Sequence, residues 1–172
     1  WLQPCVSSLA SRAGACSYRE TIVENGGGLP PPLPETSTRR MLRMENLGFG
    51  AANNAGARGS EADLLLFLNP DTELADGTLE LLVRSMRNRP RTGLLAVRQV
   101  TKDGELWPSL HRFPSVPRAL AQAVATERWP GAGKRLGERV LEPARYLQQG
   151  RFDWTTGAVL AVRREAFEAV GG

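Results

Sequence analysis

The side chains best placed to do chemistry follow one apolar segment of this chain. Five apolar residues run from Leu64 to Leu68, and Asn69-Pro70-Asp71 comes directly after them. The length and polar flanks of the run predict a buried parallel strand, and open α/β sheets bind ligands at the carboxyl ends of such strands. One carboxylate with phosphate oxygens is a common way to hold Mg²⁺ or Mn²⁺. The alternative is that Asp71 only caps a turn, and the spacing leaves both interpretations open.

A second polar cluster precedes the strand predicted over 158–162. It consists of Asp153-Trp154 followed by Thr155-Thr156-Gly157, and its alternative interpretation is an ordinary loop with a packed tryptophan. His111 is the single histidine and is expected at the surface or in a loop, because the sequence offers it no partner. The two cysteines, Cys5 and Cys16, form no C-x-x-C pair, so a zinc site is not expected.

Gly48-x-Gly50 is similar to the start of a dinucleotide-binding fingerprint. Asp71 follows about 20 residues later, at a strand end, as that fingerprint requires. The third glycine position is occupied by Asn53. A Rossmann-type domain that binds NAD is therefore an alternative hypothesis.

The elements that would position these residues alternate between strand and helix, which is typical of the α/β class. Proline-rich residues 29–34 exclude a helix there. Asp76 and Thr78 are candidate N-caps of the helix over 79–86. The predicted helices cover residues 5–13, 51–60, 79–86, 116–126 and 164–170, and the predicted strands cover 21–23, 39–44, 64–68, 94–97 and 158–162. Residues 129–150 are read as irregular and partly basic.

Composition limits the classes of protein that remain. The chain has 172 residues, a net charge of +4 and 41% hydrophobic residues, as expected for about one soluble globular domain. Aromatic residues make up only 6%, so nucleic acid is not an expected partner. The chain has no apolar run of about 18 residues, so no membrane span is expected. It opens on Trp1 and closes on two glycines, and both ends are expected to be cut.

Three blocks of sequence together resemble glycosyltransferase family 2, and its rhamnosyltransferase-like branch most closely. The resemblance covers residues 41–172, with a divergent start over 1–40 in which Glu24 and Gly27 stand where the family has Asp and Ser. A proline-rich insert there replaces a family helix. The blocks are Asn46-Leu47-Gly48-Phe49-Gly50-Ala51-Ala52-Asn53-Asn54-Ala55-Gly56, then Leu65-Leu66-Phe67-Leu68-Asn69-Pro70-Asp71-Thr72, then Asp153-Trp154-Thr155-Thr156-Gly157-Ala158 with Val162-Arg163-Arg164-Glu165-Ala166-Phe167.

The resemblance implies the α/β GT-A fold, with a single mostly parallel sheet flanked by helices and truncated at both ends. It implies a nucleotide-diphospho-sugar donor and a Mg²⁺ or Mn²⁺ ion held by Asp71. It places Asp153, Trp154 and Gly157 near the donor sugar or the acceptor. The donor-site residues it implies are Glu24, Asn46, Gly48, Asn53, Asn69 and Asp71.

The implied reaction is an inverting, metal-assisted transfer of a sugar, rhamnose in that branch, from a dTDP- or UDP-sugar to a glycan or lipid-linked acceptor. Inverting enzymes use a carboxylate base on the acceptor hydroxyl. In the family that base lies a little beyond the Gly-Gly, which puts it beyond Gly172. The 172 residues alone are therefore expected not to transfer sugar. The remaining hypothesis is a non-catalytic remnant that binds a partner or nothing.

The expected location is the cytoplasm, where nucleotide-sugars are found. Basic side chains could hold the protein at the inner face of the membrane, where a lipid-linked acceptor would lie. A merely solvated basic loop is the alternative, and both remain open. The residues concerned are Arg128, Lys134, Arg135 and Arg139.

Overall fold

The structure is a computed structural model that describes residues 1–27, 33–34, 36–116 and 138–172. The predicted helix over 116–126 lies outside the described residues apart from its first residue, as does most of the proline-rich stretch and the first part of 129–150. The described helices are α1 (Leu2–Arg12), α2 (Phe49–Ala57), α3 (Thr78–Arg87), α4 (Ala144–Leu147) and α5 (Arg164–Ala169). The described strands are β1 (Glu20–Asn25), β2 (Arg39–Met44), β3 (Leu64–Leu68), β4 (Leu94–Ala96), β5 (Gln99–Val100), β6 (Leu106–Trp107), β7 (Leu110–His111), β8 (Trp154–Thr155) and β9 (Val159–Arg163).

The chain divides into two compact units. The first unit contains Trp1–Leu95 and Ala158–Gly172, and the second contains Ala96–Gly157. The predicted α/β class is confirmed, and each predicted helix and strand inside the described residues is present within a few residues of its expected bounds. The domain division predicted at residue 40 stays a prediction.

In the first unit, β1 and β2 form a parallel pair that runs from Glu20 opposite Arg39 to Asn25 opposite Met44. A salt bridge of 3.0 Å joins the side chains of Arg39 and Glu20. Helix α2 packs on β1 at Gly56, where an added Cβ would lie 3.1 Å from Val23 Cγ2. The small residue lets the helix approach the β-branched strand closely.

A second sheet in this unit has the strand order β3-β9-β4, and β3 pairs with β9 in the antiparallel sense. The expected single, mostly parallel sheet therefore differs from what the described residues form, which is four small sheets. In this sheet β9 lies between β3 and β4. A central strand that is covered on both faces needs apolar side chains on both of them. Val159, Ala161 and Val162 meet that need and are buried.

Helix α3 supplies the other apolar side of the core in the first unit. Leu79, Leu82 and Met86 recur at helical spacing and are 8%, 2% and 0% exposed, so the amphipathic prediction is confirmed. The predicted N-caps are wrong, because the cap is Gly77 in the left-handed conformation and no side chain caps the helix.

The second unit is built from short antiparallel pairs. β5 and β6 form a hairpin, and β7 pairs with β8 so that His111 lies opposite Trp154. The Val140 N–H donates to the Leu110 carbonyl at 2.9 Å, which brings residues 138–140 alongside β7. Across the described ranges of both units, no helix has the length and apolar character needed to cross a bilayer.

Candidate functional site

The residues after β3 form a tight turn that presents Asp71. The Thr72 N–H donates to the Asn69 carbonyl at 3.1 Å, so Pro70 and Asp71 occupy the two central positions of a β-turn, where proline favours the first. The Asp71 side chain is exposed. In the part of the chain that the structure describes, its carboxylate accepts no hydrogen bond and α3 is capped by Gly77, so the carboxylate remains available to a ligand.

The helix α1 holds the loop that carries this turn. Ser8 is buried, and its hydroxyl accepts the Leu74 N–H at 3.0 Å and donates to the Cys5 carbonyl at 2.7 Å. The Cys5 thiol lies 3.5 Å from the Asn69 carbonyl. Burial first, and then the charges of Glu20, Asp71 and Glu73, raise the pKa of Cys5 to about 11.

A second contact explains why Asp76 does not cap α3. The Arg12 guanidinium forms a salt bridge of 3.0 Å with the Asp76 carboxylate and donates to the Leu74 carbonyl. The carboxylate is thereby directed toward α1 instead of toward the first N–H groups of α3. Helix α1 therefore contacts the loop over residues 69–76 at the buried Leu74 and at the exposed Asp76.

The protein oxygen atoms at Asp71 could bind a metal ion if a ligand supplied the remaining coordination. Asn69 Oδ1 is buried, and no described residue forms a hydrogen bond with it. Within the described ranges no three His, Cys, Asp or Glu side chains converge as a metal cage. Magnesium is commonly held by one or two carboxylates with substrate phosphates supplying further oxygens. The exposed Asp71 carboxylate fits the protein's part in that arrangement.

At the carboxyl ends of β1 and β2, asparagines connect the two strands to the start of α2. Asn25 donates to Asn46 Oδ1 at 3.3 Å and to the Gly48 carbonyl at 3.2 Å, and it accepts the Leu47 N–H at 3.2 Å. Asn46 Oδ1 also accepts the Gly48 N–H at 3.1 Å. The structure therefore brings Asn46 and Gly48 together through Asn25, which was not among the predicted site residues.

Gly48 begins α2 at a φ of +89°, a conformation that favours glycine. An added Cβ there would have no atom within 4 Å, so the surface beside it is open. Glu24 is the next-to-last residue of β1, and its carboxylate accepts the Gly27 N–H. Asn53 lies further along α2 and is half-buried.

In the second unit, Asp153 and Trp154 are fixed by neighbours from β7. Asp153 Oδ2 accepts the Phe113 N–H at 2.9 Å, and Trp154 Nε1 donates to the Arg112 carbonyl at 3.1 Å. The Trp154 ring stacks on His111 with centroids 3.9 Å apart and an angle of 15° between the planes. Trp154 is nevertheless 38% exposed, so both interpretations of this cluster stay predictions. Gly157 follows β8 and is half-buried.

The expectation that His111 lies at the surface is wrong. It is 9% exposed, and its Nε2 has no hydrogen-bond partner among the residues that the structure describes. Burial, followed by the charge of Arg139, lowers the pKa of His111. Its partner Trp154 is 43 positions away in sequence, and only strand pairing brings the two rings together.

Comparison with known proteins gives these groups a family context. The model of "Glycosyl transferase family 2" matches residues 1–170. An N-acetylglucosaminyl-diphospho-decaprenol L-rhamnosyltransferase of Mycobacterium tuberculosis strain CDC 1551 is 32% identical over 183 aligned positions, as is the protein of the same name from strain H37Rv. The alignments cover 95% of this chain and 58% of each relative, so the chain spans less than two thirds of their length. No solved structure matches the chain.

The match includes every block that carries the candidate residues, from the end of β1 to α5. The resemblance inferred from the three sequence blocks is confirmed. Because the family model covers nearly the whole chain, the protein belongs to glycosyl transferase family 2, and its α/β architecture is that of the GT-A fold.

Proposed function

We propose that this chain binds the nucleotide-diphospho-sugar donor of a glycosyltransferase, with Asp71 as the ligand of a divalent metal. The observation that carries the proposal is the exposed Asp71 carboxylate on the turn after β3, two residues after Asn69. Open α/β sheets bind ligands at the carboxyl ends of their strands. Asp71 presents an exposed carboxylate just after such an end. The family assignment supports the same interpretation.

Asp71 and Asn69 would hold Mg²⁺ or Mn²⁺ together with oxygens of the donor diphosphate. When bound, the cation would act as a Lewis acid that stabilises charge on the departing nucleoside diphosphate. Helix α1 would orient the turn, because Ser8 and Arg12 hold the loop on which Asp71 lies. The Asp71 carboxylate itself accepts no hydrogen bond from the described residues, so it could bind the cation without breaking an existing contact.

The nucleotide would lie at the edge formed by the ends of β1 and β2. Glu24, Asn46, Gly48 and Asn53 supply the polar groups and the open backbone there, and Asn25 positions Asn46. Residues 1–40 would then contribute the start of the nucleotide-binding half and residues 41–172 the rest of the domain. Asp153, Trp154 and Gly157 would contribute to the donor-sugar or acceptor side.

The relatives' names suggest the donor sugar and the class of acceptor. Both are named for L-rhamnosyl transfer to N-acetylglucosaminyl-diphospho-decaprenol. We infer a rhamnose-type donor, a lipid-linked glycan acceptor and an inverting transfer for the enzyme that contains this chain. The reaction would take place in the cytoplasm at the inner membrane face. Of the basic residues predicted to contact the membrane, Arg139 is described and exposed, and Arg128, Lys134 and Arg135 lie outside the described residues.

A thermal-shift comparison tests the donor class. The chain is melted with dTDP-rhamnose, a UDP-sugar, NAD or no addition, each with and without MnCl₂. Ligand that binds the native state raises the melting temperature, and the proposal predicts a metal-dependent rise with a nucleotide-sugar. A rise with NAD alone would favour the Rossmann alternative, and no rise with any of them would favour a non-catalytic remnant.

A further inference from the structure

The second unit contains a cavity whose lining includes Asp153. Its volume is about 260 Å³, and it lies between β7 and the segment that leads into β8. That volume is slightly below the range of pockets for whole small-molecule ligands, so it suits one chemical group of a larger ligand. Polar and charged side chains among its lining are His111, Arg112, Glu142, Arg145, Arg151 and Asp153.

The carboxylates at the cavity already have partners. Arg112 donates to both oxygens of Glu142, at 2.8 and 3.0 Å. The backbone N–H of Glu142 itself first, and then the hydrogen bond and charge of Arg112, lower the pKa of Glu142. Asp153 Oδ2 accepts the Phe113 N–H at 2.9 Å. Both carboxylates therefore have partners other than Arg145 and Arg151.

Arg145 and Arg151 are left with unbalanced charge. Arg145 makes one long hydrogen bond, 3.4 Å to the Arg151 carbonyl, and within the described ranges neither guanidinium has a carboxylate in salt-bridge distance. Two guanidinium groups at one cavity match the geometry of phosphate oxygens, which they bind with paired N–H donors. The buried His111, whose Nε2 has no partner within residues 1–27, 33–34, 36–116 and 138–172, adds an imidazole to the same wall.

From these observations we propose that the cavity of the second unit binds a diphosphate group through Arg145 and Arg151. The identity of its carrier rests on the proposed function, in which the acceptor is a lipid-linked glycan joined through a diphosphate. The cavity would then hold the diphosphate of the acceptor, while the turn at Asp71 serves the diphosphate of the donor. The small volume is sufficient because the lipid and the glycan would extend outside it.

Calorimetric titration with inorganic pyrophosphate tests the binding itself. EDTA is present throughout, so that metal-dependent binding at Asp71 does not contribute. The unchanged chain is compared with Arg145→Gln/Arg151→Gln, with Arg145→Lys/Arg151→Lys, and with Lys102→Gln, which alters an exposed residue of the β5–β6 turn outside the cavity. Charge-assisted hydrogen bonds contribute enough that the glutamine variant should bind about tenfold or more weakly, with the lysine variant in between and Lys102→Gln unchanged.

A second titration identifies the source of the diphosphate. Phosphatidylcholine vesicles that contain geranylgeranyl diphosphate are compared with vesicles that contain geranylgeraniol. The proposal predicts that only the diphosphate vesicles bind the chain and that the glutamine variant loses this binding. Pyrophosphate binding without vesicle binding would reject the lipid-linked carrier, and equal binding by the glutamine variant and the unchanged chain would reject the site.

Donor binding is measured on the same variants to keep the two proposals separate. The glutamine variant should keep the metal-dependent thermal shift with dTDP-rhamnose, since Asp71 and the polar residues at the ends of β1 and β2 are unchanged in it. Failure of pyrophosphate to bind any form, with the donor shift intact, would overturn the cavity proposal alone. Loss of the donor shift in the unchanged chain would overturn the proposed function alone.

Discussion

The Ser8 hydroxyl accepts the backbone N–H of Leu74 at 3.0 Å, and both residues are buried, at 5% and 2% exposure. This contact joins α1 to the loop that follows β3, although the two residues are 66 positions apart. It satisfies a backbone donor that no secondary structure serves, which a buried loop requires. The first helix is therefore part of the support for Asp71.

Ser8→Ala should destabilise the first unit by about 1–3 kcal/mol, because the Leu74 N–H would remain buried without an acceptor. Urea denaturation followed by circular dichroism measures the loss. Ser7→Ala is the matched control, since Ser7 lies on the exposed side of the same helix and alanine is a better helix former. Equal stability of the two variants would contradict the supporting role of Ser8.

Gly26→Ala should disrupt the edge where β1 and β2 end. An added Cβ would lie 2.7 Å from both the backbone N and the Cβ of Asn46, and φ at Gly26 is +77°. Gly59→Ala is the control, because its φ is +74° and an added Cβ would meet nothing within 4 Å. Both variants incur left-handed strain of about 1–2 kcal/mol, and only Gly26→Ala should also weaken nucleotide binding in the thermal-shift assay. Equal donor binding by the two variants would place the nucleotide elsewhere.

Cys5 should be nearly inert to iodoacetamide in the native state. Burial and nearby carboxylates raise its pKa from 9.0 to about 11, so at pH 8 the thiolate fraction falls about 100-fold, and the thiolate is the reactive form. The experiment uses Cys16→Ala, in which Cys5 is the remaining thiol, and compares alkylation of native and urea-unfolded chain by mass spectrometry. The native rate should be lower by about 100-fold or more. Similar rates in the two states would show that Cys5 is not buried against the loop at Asn69.

The pKa of Cys5 also makes stability depend on pH. A thiol whose folded pKa is raised adds stability below pH 9, and that contribution is lost as the pH rises toward about 11, because the unfolded chain releases the proton first. The fall in stability over this window should be smaller in Cys5→Ala than in the unchanged chain. Alanine also weakens the packing equally at every pH. Comparing how steeply the free energy of unfolding changes with pH, and not its absolute value, cancels that effect.

His111 should titrate below its ordinary value of 6.5, because burial and Arg139 disfavour its charged form. As the chain's single histidine, it gives an isolated imidazole signal by NMR. Stability supplied by the neutral ring is present above pH 6.5 and declines as the pH falls through the folded pKa, since the unfolded state binds the proton first. A midpoint at or above 6.5 would contradict the buried stacking on Trp154.

The local patterns of the chain predicted its longer helices and strands, but not the two-residue strands β5 to β8, nor α4, which lies in a segment predicted to be irregular. The apolar run over 64–68 and the helical spacing of Leu79, Leu82 and Met86 depend on residues close in sequence, and both predictions are confirmed. The order of strands was not predictable in this way. Nothing within β9 indicates that it pairs with β3 in the antiparallel sense and separates it from β4, because sheet order is decided by contacts between distant segments.

The candidate site was likewise predictable only where its residues are close together in sequence. Asp71 was found because its turn residues and its strand are contiguous, whereas the contacts that hold its loop come from Ser8 and Arg12, more than 60 positions earlier. Arg12 also removed Asp76 from its expected capping position, an electrostatic competition that sequence spacing does not reveal. The cavity at Arg145 and Arg151 was missed because residues 129–150 show no periodicity, and basic residues in an irregular segment are usually solvated.

Metal-linked donor binding tests the central claim most directly. Calorimetric titration of dTDP-rhamnose is carried out with MnCl₂ and with EDTA on the unchanged chain, on Asp71→Asn, and on Asp103→Asn, an exposed carboxylate of the β5–β6 turn. Asp71→Asn keeps the size of the side chain and removes the charge that the cation needs. We expect Mn²⁺ to strengthen binding about tenfold or more in the unchanged chain and in Asp103→Asn, and to have no effect in Asp71→Asn. Equal donor affinity with and without metal in the unchanged chain, or a metal effect that survives in Asp71→Asn, would contradict the account.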